Sequence, residues 1–344
     1  MKAVRFHSYG GVDVLRYEDV PDPAAGAGEA VVRVRAAGVG RVDVALRSGQ
    51  VRNRLPVELP HIPGLEFAGD VVELSEGVDG LSVGDRVAAV YQLACWACEQ
   101  CRAGRQEVCE RASIFGIDRS GGYAEYVVVP TSALVPLPPS LSYAEAAACQ
   151  TTVGTAWHAL LSRARLRPGE TVLVSAAGSG VGSGGVVVGR HVGARVLASV
   201  GSEWKVERAR AAGADVVVDY SREDLTQRVL DETAGRGVDV VLECVGGDVF
   251  RASLAALARG GRIVVVGGHA GDLTEIDLAR LRDREGEVIG STRATQQELR
   301  EVIGLAGSDR LVPPIFAALP LSEAGRAQEL LESREVYGKV VLNC

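Results

Sequence analysis

The sequence predicts an α/β protein in two parts, a β-rich module followed by a doubly wound parallel sheet. Three observations carry this expectation. The first 130 or so residues hold short β-like runs punctuated by Gly, Pro and Asp. From Glu170 onward, nearly all-apolar runs alternate with helical stretches, as parallel strands buried on both faces require. A glycine-rich turn joins the first of those runs to a helix.

Within the N-terminal part, residues 30–35 alternate with period two, and residues 69–74 form a second run. Gly84-Asp85 is a turn leading into a strand over 86–90. The pattern changes after Pro136-Leu137-Pro138-Pro139-Ser140, where Ser142 is placed to cap a helix starting near Tyr143. The strands of the parallel sheet are expected at 171–175, 195–199, 215–219, 238–243 and 262–266, with 287–291 at the edge. A tail from residue 302 ends in a strand over 338–342 and is expected to rejoin the first module. The domains are therefore expected at 1–130 plus 302–344, carrying a cysteine lobe over 92–112, and at 131–301.

The chain has 344 residues, enough for two domains, and aromatics make up only 5%. Its cores must then be built from Val, Leu, Ile and Ala. A formal net charge of −7 without a long run of like charge argues against nucleic acid as a partner. No apolar stretch approaches the roughly 20 residues that span a membrane, and the N-terminus lacks the apolar core of a signal peptide. These features suggest a cytosolic metabolic protein. Four of the seven cysteines crowd into residues 95–109, which favours metal ligation over disulfides in such a compartment.

The run Val172-Leu173-Val174-Ser175-Ala176-Ala177-Gly178-Ser179-Gly180-Val181-Gly182 is a strand entering a glycine-rich turn and then a helix. Small residues there let the backbone approach a pyrophosphate at the helix N-terminus. Gly178, Ser179, Gly180, Val181 and Gly182 are the candidate cofactor-binding residues. The end of the second strand selects the cofactor. An NAD site usually places a carboxylate there for the ribose 2′-hydroxyl, but this chain has uncharged Val200. Ser202 and Lys205, with Arg208 nearby, could hold a 2′-phosphate, so NADPH is favoured over NADH; a surface role for Lys205 is the plainer alternative. Val245, Gly246, Gly267, Gly268 and Ser291 follow later strands, where open α/β sheets bind ligands, although glycines also serve tight turns. Cys95-x2-Cys98-x2-Cys101-x7-Cys109 suits a closed tetrahedral zinc site of structural type, an iron–sulfur cluster being the less favoured occupant.

With these motifs in place, the chain resembles the medium-chain dehydrogenase/reductase superfamily over essentially its whole length. The segments 61–69, 84–87, 121–126, 154–158 and 338–342 are similar to that family's recurring stretches. The resemblance implies a GroES-like catalytic domain beside a Rossmann domain, one structural zinc, and a nicotinamide cofactor. It also implies positions for a second, catalytic zinc, and here the sequence departs. Those positions are occupied by Gly40, Leu65 and Thr151, with only Glu66 retained. A catalytic zinc needs about three protein ligands, so the second metal is not expected, even with Asp43 or Cys149 recruited.

The zinc-free relatives that the resemblance brings in are quinone oxidoreductases and enoyl reductases. The expected function is NADPH-dependent reduction of activated C=C bonds or quinones, on a small carbonyl-conjugated substrate. Arg41, Asp43, Glu66, Tyr91 and Thr152, with Thr151, are the candidate catalytic residues, each with a plainer structural role available. His158 is expected as a packed or exposed histidine rather than a general acid, Cys149 as a small buried residue with room for thiol chemistry near the pocket, and Cys244 and Cys344 as incidental. Two other readings are an alcohol dehydrogenase with an atypical zinc set, and an NADPH-binding protein acting by interaction alone. The exposed edge strand suggests a homodimer or homotetramer.

Overall fold

The computed structural model of the chain describes every residue except His269, Asp272 and Arg310, and the side chain of Asp309. It divides into two compact units, one formed by Met1–Thr151 with Thr295–Cys344 and the other by Thr152–Ala294.

The first unit is organised by the eleven-residue strand Glu29–Val39. Along one side it pairs antiparallel with Glu66–Leu74. On the other side Tyr126–Pro130 pairs with its beginning and Lys339–Asn343 with its end. The sheet extends outward through Ile315–Pro320 at one edge and through Arg86–Ala89 and Leu134–Pro136 at the other. Small two-stranded sheets, Lys2–Phe6 with Leu15–Asp19 and Gln92–Leu93 with Ser113–Ile114, complete it. Phe67 and Phe115 meet edge-to-face at 5.3 Å between ring centroids and anchor the core beside buried Phe6 and Tyr123.

The second unit is a six-stranded, all-parallel sheet in the order Val216–Asp219, Arg195–Val200, Thr171–Val174, Val238–Glu243, Leu257–Val265, Glu287–Gly290. That order reverses direction between the first and fourth strands, which is the doubly wound arrangement expected of a dinucleotide-binding fold. The fifth strand starts at Leu257, earlier than the expected 262, because Leu257 pairs with Val238 ahead of a register shift.

The unit boundaries differ from those expected at 131 and 302. The helix Tyr143–Cys149, begun by a Ser142–Glu145 capping box, packs on strands Glu29–Val39 and Glu66–Leu74, so residues 131–151 belong to the first unit. The helix Gln296–Asp309 packs on Tyr143–Cys149 and brings residues 295–301 with it. A linker rich in proline had suggested a boundary, but the buried face of the following helix decides the matter.

Candidate functional site

At the strand–turn–helix of the second unit, Ser179 caps the helix Gly180–Val192 and accepts a hydrogen bond from the Gly182 amide at 3.0 Å. A Cβ on Gly182 would lie 2.1 Å from the Ala176 carbonyl oxygen, and one on Gly185 2.3 Å from Leu242 Cδ2. The helix therefore lies close against the sheet, with no side chain of its own at these two positions. Its first turn presents backbone N–H groups to an incoming phosphate. Gly178, Gly180 and Val181 belong to the same turn, and the cradle fits a dinucleotide pyrophosphate.

Val200 ends the second strand. A Cβ on the next residue, Gly201, would stand 2.5 Å from the Tyr220 hydroxyl, so that phenol lies over the turn. Ser202 precedes the short 3₁₀ turn Glu203–Lys205. Glu203 is paired with Arg222 at 2.6 Å, and the Trp204 ring lies 5.1 Å from Lys205 Nζ and 5.3 Å from Arg208 Cζ. The only carboxylate of this turn is thus already neutralised.

Behind the fourth strand, the buried Glu243 carboxylate accepts from the amides of Val245 at 2.6 Å and Gly246 at 2.9 Å, and burial raises its pKa. Gly246 has φ +80, and a Cβ there would meet the Gly271 carbonyl oxygen at 2.5 Å, so glycine is required. Gly267 and Gly268 follow the fifth strand. The Ser291 amide, after the sixth, donates to Val265 O at 2.9 Å, and its hydroxyl oxygen is buried without a partner among the described residues.

In the first unit, Cys95, Cys98, Cys101 and Cys109 bring four sulfurs within 4.8 Å of one another. The Cys95–Cys101 and Cys98–Cys109 separations are 4.0 and 3.9 Å, close to the roughly 3.8 Å edge of a tetrahedral zinc–thiolate site. Amides of Cys95, Cys98 and Cys101 point at the sulfurs of Cys109, Cys95 and Cys98. Such donors favour the thiolate at Cys95, whose thiol falls to about 6, chiefly through the Ala97 amide, and at Cys98, while burial pushes the Cys101 thiol up to about 12. This donor set fits a zinc ion.

The positions that the family resemblance assigned to a second metal look quite different. Glu66 is buried, and both its oxygens are taken: Oε2 by the Thr151 amide at 2.7 Å, Oε1 by the Thr151 hydroxyl at 2.7 Å and by the Lys339 ammonium. Lys339 Nζ also donates to Thr151 Oγ1 at 3.2 Å. Sheet register explains the meeting. Glu66 stands opposite Gly38 and Val340 opposite Val39, which places Lys339 one step beyond, beside Gly40. A Cβ on Gly38 would collide with Glu66 Oε1 at 2.6 Å, so only glycine lets the carboxylate cross the strand to the ammonium. A second zinc does not fit these residues. Among the described residues, no other group of three His, Cys, Asp or Glu side chains converges besides the four cysteines.

Asp43 is buried and held by the amides of Gly40 at 2.7 Å and Gly64 at 3.0 Å and by the Tyr123 hydroxyl at 3.3 Å. It caps the helix Arg41–Ser48, and burial pushes its carboxyl up to about 6. Arg41, at the start of that helix, has its pKa lowered by burial and by Arg334. Tyr91 is buried, its carbonyl accepting from Phe115 N at 3.0 Å, and Thr152 is buried in the second unit. Thr151 reaches Glu66 through both its amide and its hydroxyl. His158, Cys149 and Cys244 are buried, and Cys344 is pushed up to about 12 by burial.

Sequence reasoning missed Lys339, Tyr220 and Glu243. Lys339 lay inside a segment quoted for its resemblance, and the paired glycines Gly38 and Gly40 were its available signal. Residues 26–139 match the family model described as alcohol dehydrogenase GroES-like domain, and residues 180–308 the one described as zinc-binding dehydrogenase. An NAD-dependent alcohol dehydrogenase of Sulfolobus acidocaldarius is 33% identical over 99% of this chain and 99% of its own. The chain belongs to the medium-chain dehydrogenase/reductase superfamily. Members similar to it include a quinone oxidoreductase of Rattus norvegicus, 30% identical over 99% of this chain and 97% of its own. An acryloyl-coenzyme A reductase of Metallosphaera sedula is 31% identical over 94% and 95%. A crystal structure described as an NAD-dependent alcohol dehydrogenase superposes with a TM-score of 0.94 at 39% identity, covering 100% of both chains. The chain is thus an oxidoreductase of this superfamily, with a GroES-like domain and a Rossmann-like domain.

Proposed function

We propose that this protein is an NADPH-dependent reductase of activated C=C bonds, in enones or enoyl compounds, or of quinones, and that it works without a catalytic zinc. The observation that carries this is the Lys339–Glu66–Thr151 cluster. Where an alcohol dehydrogenase needs a Lewis acid, this chain places a closed ion pair and residues without metal-ligand atoms of the required number. Simple alcohol oxidation is then unsupported, whereas a conjugated carbonyl needs only hydrogen-bond donors for the enolate that forms.

NADPH, when bound, would supply the hydride for the conjugated carbon. The chain's residues hold and orient. The N-terminus of Gly180–Val192 takes the pyrophosphate, and Ser202, Lys205 and Arg208, with Tyr220 over the turn, would take the 2′-phosphate, Glu203 being occupied by Arg222. The turns at Val245–Gly246 and Gly267–Gly268, with Ser291, border the nicotinamide end. Cys95, Cys98, Cys101 and Cys109 would hold one structural zinc. A two-fold or higher homo-oligomer would cover the edge strand Glu287–Gly290, whose Val288 is exposed.

The names of relatives keep one competitor in view, an alcohol dehydrogenase using NAD. Purified protein would be assayed for zinc and screened with NADPH and NADH against quinones, enals, enones and simple alcohols. About one zinc per chain with NADPH-linked reduction of a conjugated carbonyl is the expected result. About two zincs with NAD-linked alcohol oxidation would replace this proposal by the dehydrogenase, and tight NADPH binding without any turnover would replace it by a role in interaction.

A further inference from the structure

Lys339 carries three N–H donors, and two acceptors are accounted for, Glu66 Oε1 and Thr151 Oγ1. Glu66 does not depend on the lysine alone, since the Thr151 amide and hydroxyl already hold both of its oxygens. Beside the ammonium stands Gly40, where a Cβ would lie 3.9 Å from Nζ. That Cβ would also lie 3.4 Å from Asp43 Oδ2, and the Asp43 carboxylate is engaged by the Gly40 and Gly64 amides and the Tyr123 hydroxyl. The side chains of Lys339 and Glu66 are 4% and 2% exposed, so little water screens the charge.

We propose that the Lys339 ammonium is the electrophile of this site, its third N–H donating to the substrate's carbonyl oxygen from the space beside Gly40. The assignment rests on the reductase reading for its substrate class, a conjugated carbonyl. Hydride adds at the β-carbon and the C=C pair shifts to form an enolate, the carbonyl π pair moving onto oxygen. The oxyanion is held by the Lys339 N–H, which stays on nitrogen. Water would protonate the α-carbon as the carbonyl re-forms, its hydroxide passing to solvent, the two electrons having come from a bound NADPH, which would end as NADP⁺. Glu66 and Thr151 are positioning residues, fixing the ammonium across Gly38.

The test uses the zinc-loaded chain with NADP⁺ and 4-nitrophenol, a phenol whose ionisation is read by its visible absorbance and which offers the oxyanion without any hydride step. Wild type is expected to lower the apparent pKa of the bound phenol by about one unit, a tenfold preference for the anion. The double variant Lys339→Met/Glu66→Gln removes the charge while leaving no unpaired partner, and should abolish that shift; Lys339→Arg should restore part of it. In NADPH oxidation with an enone, the double variant should lose about 10²- to 10³-fold in kcat with KM for NADPH little changed. An equal phenol ionisation in wild type and the folded double variant would overturn the assignment. A shift in wild type without turnover of any enone or quinone would leave the electrophile standing and remove the substrate class.

Discussion

Two polar clusters in the first unit show opposite ways of settling charge. The cysteine lobe gathers four sulfurs, with amides aimed at them and exposed Arg111 as a cationic neighbour of Cys95. As thiolates, those sulfurs hold an excess of negative charge that a bound dication neutralises. The Glu66 cluster holds one carboxylate, one ammonium and the donors of Thr151, and its charges cancel internally. Both lie in the same compact unit. The difference lies in whether the side chains leave a charge for an ion to neutralise. One region offers four donors that fit a metal, and the other pairs its carboxylate with its own cation.

The largest expected effect comes from breaking the first half of this contrast. Structural zinc contributes about 10–16 kcal/mol of apparent binding energy in small zinc domains, and the lobe over 92–112 has few strands of its own. Cys101→Ser, or prolonged chelation, should bring zinc from about one per chain to near zero and lower Tm by about 10 °C. An unchanged melting curve after proven metal loss would mean that the lobe is held by its packing. The same treatment should leave the Lys339 cluster untouched.

Much of this contrast was legible beforehand, and the limit of legibility is instructive. Cysteine spacing is local, so the convergence of the four sulfurs could be expected from sequence alone. The parallel strands were legible because burial on both faces leaves nearly unbroken apolar runs, as at Val172–Val174 and Val240–Leu242. Gly40, Leu65 and Thr151 showed in the sequence that the family's second ligand set is incomplete. What replaced it was hidden, because Glu66 and Lys339 are joined through sheet register across Gly38, a relation that no sequence window contains. The domain boundary failed for a similar reason. Proline marks where chain direction changes, but the helix Tyr143–Cys149 belongs to whichever sheet its buried alanines cover.

The second half of the contrast is broken by removing one charge at a time. Glu66→Gln leaves Lys339 buried with a weaker partner, and Lys339→Met leaves Glu66 with Thr151 alone. Breaking a buried pair costs about 3–5 kcal/mol, whereas replacing both partners is often nearly neutral. The single variants should therefore each fall well below wild type in denaturant midpoint, and the double variant should recover most of the loss. Simple additivity of the two single effects would show that no closed pair exists and that the two regions are less different than they look.

A smaller effect reports on how far the ammonium's influence reaches. Asp43 lies next to the cluster, where Lys339 lowers its pKa and Glu66 raises it, yet burial dominates and lifts the carboxyl from 3.8 to about 6. Between those values the folded chain keeps a proton that the unfolded chain has released. Its contribution is fully present below about pH 4 and is lost as pH rises through about 6, amounting to about 3 kcal/mol across the window. Asp43→Asn has no such proton to lose. Its stability deficit relative to wild type, from urea titrations at about pH 4 and about pH 7.5, should therefore shrink as pH rises. A growing deficit would mean that Asp43 is ionised in the fold and that Lys339 serves two carboxylates. In the Lys339→Met background the window should move to higher pH, since the only cation named beside Asp43 has gone.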